Sequence, residues 1–138
     1  ALAYFIPMLM GAGGNIGSQS STLVIRALAT GELTLREWWK VLVREAVAGV
    51  VIGAVLGTTA FFIAIFLLQN TLLGVTVGIS VATVVAVGNL AGAATPLIFS
   101  YLRLDPAIVS APLITTIIDV TGIIIYFEIA RRILSVPG

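Results

Sequence analysis

Charged positions divide this chain into long apolar stretches and short polar ones. Residues 1–25 carry no charged side chain. Arg26, Glu32, Arg36, Glu37, Lys40, Arg44 and Glu45 then follow close together. Residues 46–102 form a run of 57 without a single charge. Arg103 and Asp105 end that run, Asp119 is the one charge in 106–127, and Glu128, Arg131 and Arg132 come last. A membrane crossing by an α-helix takes about 20 apolar residues, so the 57-residue run is too long for one crossing and suits two. The pattern predicts four transmembrane helices, at about 1–28, 46–68, 75–102 and 106–132. Strands of a membrane barrel would alternate apolar and polar residues over ~10 positions, and Val47 to Leu56 does not.

The connections carry their own signals. Residues 30–45 read as an interfacial segment on the cytoplasmic side. Thr34 followed by Glu37 fits a capping box, and Trp38 and Trp39 beside Arg36, Lys40 and Arg44 suit the lipid–water boundary. Gln69-Asn70-Thr71 reads as a short uncharged turn. Asp105 followed by Pro106 reads as an N-cap and first helical residue, opening the last helix.

Composition turns this pattern into a class. Of 138 residues, 59% are hydrophobic and 9% charged, and the mean hydropathy is +1.18. Soluble domains hold about 25% charged residues, and a chain this small could not bury so much apolar side chain. The expected fold class is an all-α integral membrane protein, with the lipid bilayer as partner. The net charge of +1 gives no reason to expect nucleic acid. The absence of cysteine and histidine removes thiolate metal sites, disulfides, Ser-His triads and imidazole relays, so the chain does not read as an enzyme. It opens inside an apolar run without a basic segment or cleavage site, unlike a signal peptide; it is expected to begin in mid-protein.

Orientation follows from the basic residues. Arg26, Arg36, Lys40, Arg44 and Arg103 share one side, against Arg131 and Arg132 on the other. That bias places the 30–45 connection in the cytoplasm and the C-terminus outside, in a multi-pass protein of the cell membrane.

Asp119 is the first candidate for chemistry. A carboxylate near the bilayer midplane costs at least ~2.5–3.5 kcal/mol, and no basic residue lies within reach along its helix. Two readings stay open. It binds a cation in a watery path, or it is protonated and hydrogen-bonded to a neighbouring helix at Asn15 or Asn89. Pro112, Thr115, Thr116, Gly122, Ile123 and Tyr126 lie three, four or seven residues away, on its face. A proline at 112 inside a helix would free the Ile108 carbonyl. Carboxylate and carbonyl oxygens are hard ligands, suited to Mg²⁺, Ca²⁺ or Mn²⁺. The threonines could equally bond back to their own helix.

The first helix carries a second polar stripe: Asn15, Ser18, Gln19, Thr22 and Arg26 at helical spacing. Lipid would not tolerate it, so it lines a pore or packs against protein. Gly49, Gly53 and Gly57, like Gly88 and Gly92 with Pro96, read as close helix contacts, within or between subunits. Gly14-Asn15-Ile16-Gly17 weakly echoes Gly88-Asn89-Leu90-Ala91. Asp105 is a helix cap that could also hold a cation at the cytoplasmic mouth. One carboxylate cannot neutralise a divalent ion, and a homodimer with two copies of Asp119 about an axis would.

Pro7-Met-Leu-Met-Gly-Ala-Gly-Gly-Asn-Ile-Gly-Ser-Gln-Ser20, Arg26-Ala-Leu-Ala-Thr-Gly-Glu32, Gly88-Asn-Leu-Ala-Gly, Asp105-Pro-Ala and Pro112-Leu-Ile-Thr-Thr-Ile-Ile-Asp-Val-Thr-Gly122 together resemble the MgtE family of magnesium transporters. The resemblance runs in order over the whole chain. It implies a homodimeric Mg²⁺ channel with five membrane helices per subunit, of which these would be the second to the fifth. The first and last helices here would line the pore. Asp119, with carbonyls near Thr115, would hold the ion, for which Mn²⁺, Co²⁺ or Ca²⁺ could substitute. A cytoplasmic regulatory part with paired CBS modules is also implied, and nothing in this chain matches it. The rival expectations are a proton- or sodium-coupled secondary transporter and a non-transporting scaffold subunit.

Overall fold

The structure is a computed structural model and describes residues 1–135. Four helices carry nearly all of it: α1 (Ile6–Ala29), α2 (Trp38–Leu68), α3 (Thr71–Tyr101) and α4 (Ala111–Leu134). Short 3₁₀ turns precede three of them, at Leu2–Phe5, Leu35–Glu37 and Pro106–Ile108. There is no strand among the described residues. Three segments are long and apolar enough to cross a membrane: Leu35–Leu68, Thr71–Tyr101 and Ala111–Leu134. By composition α1 is not among them, because glycine, serine, asparagine and glutamine fill its middle.

All four helix starts differ from the sequence expectation: α1 begins at Ile6 behind a 3₁₀ turn rather than at 1, α3 at Thr71 rather than 75, and the other two differences have visible causes. First, α2 begins at Trp38, not near 46, so much of the 30–45 connection is helix. The reason is visible in its buried face. Val41, Glu45, Gly49, Gly53 and Gly57 recur every four residues and all are buried, so one contact stripe runs unbroken into the charged segment. Thr34 does not complete a capping box: its hydroxyl donates to Glu37 Oε2 at 3.4 Å, and no side chain caps the turn.

Second, α4 begins at Ala111, not at Pro106. Asp105 accepts a hydrogen bond from Ala107 N at 2.9 Å, but what it caps is a single 3₁₀ turn. A helix continued from 106 would place Pro112 in its interior, against the Ile108 carbonyl. The chain instead extends through Val109 and Ser110, and Ser110 restarts the helix by accepting from Leu113 N at 3.4 Å. Pro112 thus sits harmlessly in the first turn of α4, and the expected free carbonyl at Ile108 has no mid-helix origin.

The α2–α3 turn needs only two residues. Gln69 closes α2 in the left-handed region (φ 51°), and the Asn70 side chain caps α3 by accepting from Leu73 N at 3.0 Å.

At the centre, α3 contacts the other three helices; α2 lies against one side of it, while α1 and α4 meet on the other and touch each other. Small residues set both α3 contacts. A Cβ at Gly53 would lie 2.5 Å from the Ala82 carbonyl oxygen, and one at Gly57 2.6 Å from that of Gly78. The α2 glycine stripe is therefore used inside the chain. On the far side of α3, Gly88 abuts the Gly13 carbonyl and Gly92 abuts that of Gly17. Hydrogen bonds between the helices are few, which suits association by close packing in lipid.

Phe5, Leu9, Val77, Val81, Val84, Val85 and Tyr126 form the main core. Tyr126 is fully buried and its hydroxyl donates to the Leu2 carbonyl at 2.8 Å, tying the end of α4 to the start of the chain. Tyr126→Phe keeps the packing and removes that bond; the expected cost is about 1 kcal/mol, read as a small drop in thermal unfolding temperature in detergent. A parent-like temperature would mean the bond contributes nothing.

Candidate functional site between α1 and α4

Polar residues gather on the outward faces of α1 and α4. On α1, Asn15, Gln19, Thr22 and Arg26 are exposed and Ser18 half-exposed. Their spacing of three and four residues puts them on one side. On α4, Pro112 and Thr116 are exposed, and Thr115 and Asp119 are half-buried where α4 meets α1.

Gly14 makes that meeting possible. A Cβ there would stand 2.9 Å from Thr115 Cγ2 and 3.4 Å from Asp119 Oδ1. The carboxylate therefore lies against bare backbone of α1. Asp119 is the ninth residue of α4, about 12 Å from its start at 1.5 Å per residue, rather than the 20 Å that a start at 106 implied. It still stands beside Gly14, from which α1 runs on to Ala29.

Asp119 Oδ1 is buried and has no hydrogen-bond partner among the described residues. Both neighbouring-amide alternatives fail here. Asn15 is exposed and makes no hydrogen bond to Asp119 among those of the described residues, and the Asn89 amide is spent elsewhere, on Glu45. The two asparagine motifs sit differently, Asn15 being exposed and Asn89 buried.

Several expected lining groups are engaged or turned away. Thr116 donates to the Pro112 carbonyl (2.8 Å), Thr121 to Ile117 (2.8 Å) and Thr22 to Ser18 (2.9 Å), so these hydroxyls bond back to their own helices. Thr115 makes no such bond among the described residues, and its hydroxyl stays available beside Asp119. Gly122 is buried, with Val84 and Leu9 side chains 3.1 and 3.4 Å from where its Cβ would be; it faces the core and not the polar face. Tyr126 is likewise core. Asp105 is exposed and borders a cavity of about 460 Å³ with Ile25, Leu28, Leu33, Ser100 and Pro106 at the end of the bundle that carries Arg26 and Arg103. No cluster of three or more His, Cys, Asp or Glu side chains that could hold a metal ion exists among the described residues, and Asp119 is the one carboxylate against Gly14.

The sequence reading missed Glu45. It passed for one more interfacial charge, yet it is buried and bonded to both Ser20 and Asn89. The signal was its register, four residues before Gly49 on the stripe that packs.

A family model described as "MgtE: Divalent cation transporter" matches residues 6–129. The chain belongs to the MgtE family. It is 43% identical over 135 residues to the "Magnesium transporter MgtE" of Thermus thermophilus, covering 98% of this chain and 30% of that protein. The protein of the same name from Bacillus subtilis is 39% identical over 94% of this chain and 29% of its own length. That of Enterococcus faecalis is 36% identical over 94% and 28%. The chain thus spans less than a third of these MgtE relatives. Family and apolar helices together make it part of a multi-pass membrane protein of a transporter family.

Proposed function

We propose that this chain forms the ion-conducting part of a Mg²⁺ channel, with the polar faces of α1 and α4 lining the path and Asp119 from two copies of the chain holding the ion. The unpartnered, buried Asp119 oxygen beside Gly14 carries the reading. An uncompensated carboxylate in a membrane interior is costly, and such groups mark ion pathways. A face bearing Asn15, Gln19, Thr22, Thr116 and Asp119 cannot stay exposed to lipid; a second copy opposing it would give a wet passage with two carboxylates. Mg²⁺ sheds water reluctantly and is gripped largely through its hydration shell, so two carboxylates with few direct ligands suit it. Mn²⁺, Co²⁺ and Ca²⁺ share its preference for oxygen closely enough to compete. Arg26, Arg36, Lys40, Arg44 and Arg103 favour the cytoplasm of a cell-membrane protein for their end. There Asp105 borders the entrance, near the regulatory part supplied elsewhere in the protein.

Transport in this reading is passive. Two charges crossing 100 mV release about 4.6 kcal/mol. In proteoliposomes of the full-length protein, Mg²⁺ flux is expected to rise with an imposed inside-negative potential and to persist when proton and sodium gradients are collapsed. Flux that needs either gradient at clamped voltage would make Asp119 a coupling site in a secondary transporter. No flux at all would leave a scaffold.

A further inference from the structure

Glu45 has no part in the ion path proposed above, yet it is the one charged side chain buried among the described residues, 8% exposed. Its Oε2 accepts from Ser20 Oγ of α1 and from Asn89 Nδ2 of α3, both at 3.0 Å. The same Asn89 amide donates to the Glu45 backbone carbonyl at 2.7 Å. Oε1 accepts from Arg44 Nε at 3.2 Å, and the Arg44 guanidinium is largely exposed. One carboxylate therefore joins three helices.

This arrangement does not suit a cation ligand. The inner oxygen already receives two donors, whose positive ends would face any metal. It does suit a fastening. α1 and α2 scarcely touch otherwise, since each rests on α3. Ser20 to Glu45 is the one side-chain hydrogen bond between them among the described residues, and hydrogen bonds to charged groups are the strong ones. Ser20 also stands about 140° around α1 from Asn15, at ~100° per residue. It is behind the polar face. On that rear side Gly13 and Gly17 lie against the backbone of Gly88 and Gly92, with the Val84 and Ile118 side chains also resting on them. At these glycines α1 has no side chain of its own to interlock against rotation.

We propose that Glu45 is a positioning residue: through Ser20, and braced by Asn89, it sets the rotation of α1 about its own axis and so keeps Asn15, Gln19 and Thr22 turned toward the ion path. The inference rests on the reading that this face lines the path.

Cysteine labelling tests it directly, because the chain contains no cysteine. Gln19→Cys is introduced into the full-length protein in proteoliposomes, on a cysteine-free background, and its modification by a water-soluble methanethiosulfonate is timed. Adding Ser20→Ala is expected to slow modification about tenfold, the shift that losing one hydrogen bond to a charged group brings. Glu45→Ala should do the same, and the two together no more than the larger alone, since they break one link. Glu45→Gln keeps a carbonyl oxygen for Ser20 and Asn89 while Arg44 swings into water, so it should label at near the parent rate. Ser20→Ala removes a single oxygen and keeps the test open should Glu45→Ala fail to fold. Parent-like labelling in Ser20→Ala, or additive effects, would overturn the proposal. So would Glu45→Gln losing Mg²⁺ flux with labelling unchanged, because the charge rather than the fastening would then matter. Labelling judges the positioning; flux through Asp119→Ala judges the path itself.

Discussion

Asp119→Ala is expected to reduce Mg²⁺ uptake by at least about a hundredfold while the protein stays folded. The magnitude follows from charge. A carboxylate about 5 Å from a divalent ion, in surroundings of effective dielectric near 20, contributes roughly 6.6 kcal/mol. Losing half of that is already more than about a hundredfold, since each 1.4 kcal/mol is tenfold. A homodimer loses two carboxylates at once. Stability should move the other way or not at all: the Asp119 oxygen is buried without a partner among the described residues, and an unpaired buried polar atom costs about 1–3 kcal/mol. Asp119→Asn separates charge from shape. It keeps the volume against Gly14 and should be nearly as inactive as the alanine variant. The measurement is dye-reported Mg²⁺ entry into proteoliposomes, with thermal unfolding of the same preparations. Parent-like entry through a folded Asp119→Ala protein would end the assignment of this residue to the path.

Much of this site can be read from spacing, and the limits of that reading are physical. Charge-free length implies α2 and α3, because in lipid only helices and closed barrels satisfy a backbone, and this run lacks the alternation of barrel strands. Three- and four-residue spacing puts Asn15, Gln19 and Thr22 on one face of α1. Periodicity does not say which helix a face meets. Gly122 shares a helix face with Asp119 by register, yet α4 is wide enough for Asp119 to meet α1 while Gly122 meets Val84 of α3. The expected start of α4 differs from the observed one because two start signals compete: Asp105-Pro106 and Ser110-Ala111-Pro112 each have a cap before a proline. Only the second lets Pro112 avoid a helix interior. Glu45 reads as interfacial by its charge, and only its register contradicts that. Its place four residues before Gly49 put it on the face that packs, where only partners on other helices can compensate a carboxylate.

Gly92→Val is expected to collapse the bundle that holds this site. A Cβ at Gly92 would overlap the Gly17 carbonyl of α1, and one at Gly17 would stand 2.6 Å from the Gly88 carbonyl. These obstacles are backbone, which cannot rotate aside as a side chain does. Overpacking costs about 1–3 kcal/mol where neighbours can shift, and more where they cannot; about 3 kcal/mol or more is expected here. The loss would spread, because α1 displaced from α3 also withdraws Gly14 from Asp119 and Ser20 from Glu45. Gly11→Ala, on the same helix, is the contrast. Nothing lies within 4 Å of its Cβ position, and alanine favours a helix over glycine by about 0.8–1.0 kcal/mol, so its unfolding temperature should equal or exceed the parent's. Thermal unfolding in detergent followed by size-exclusion chromatography compares the two. If Gly92→Val unfolds like the parent, or Gly11→Ala is as damaged as Gly92→Val, then backbone contact between α1 and α3 is not what holds these two helices together.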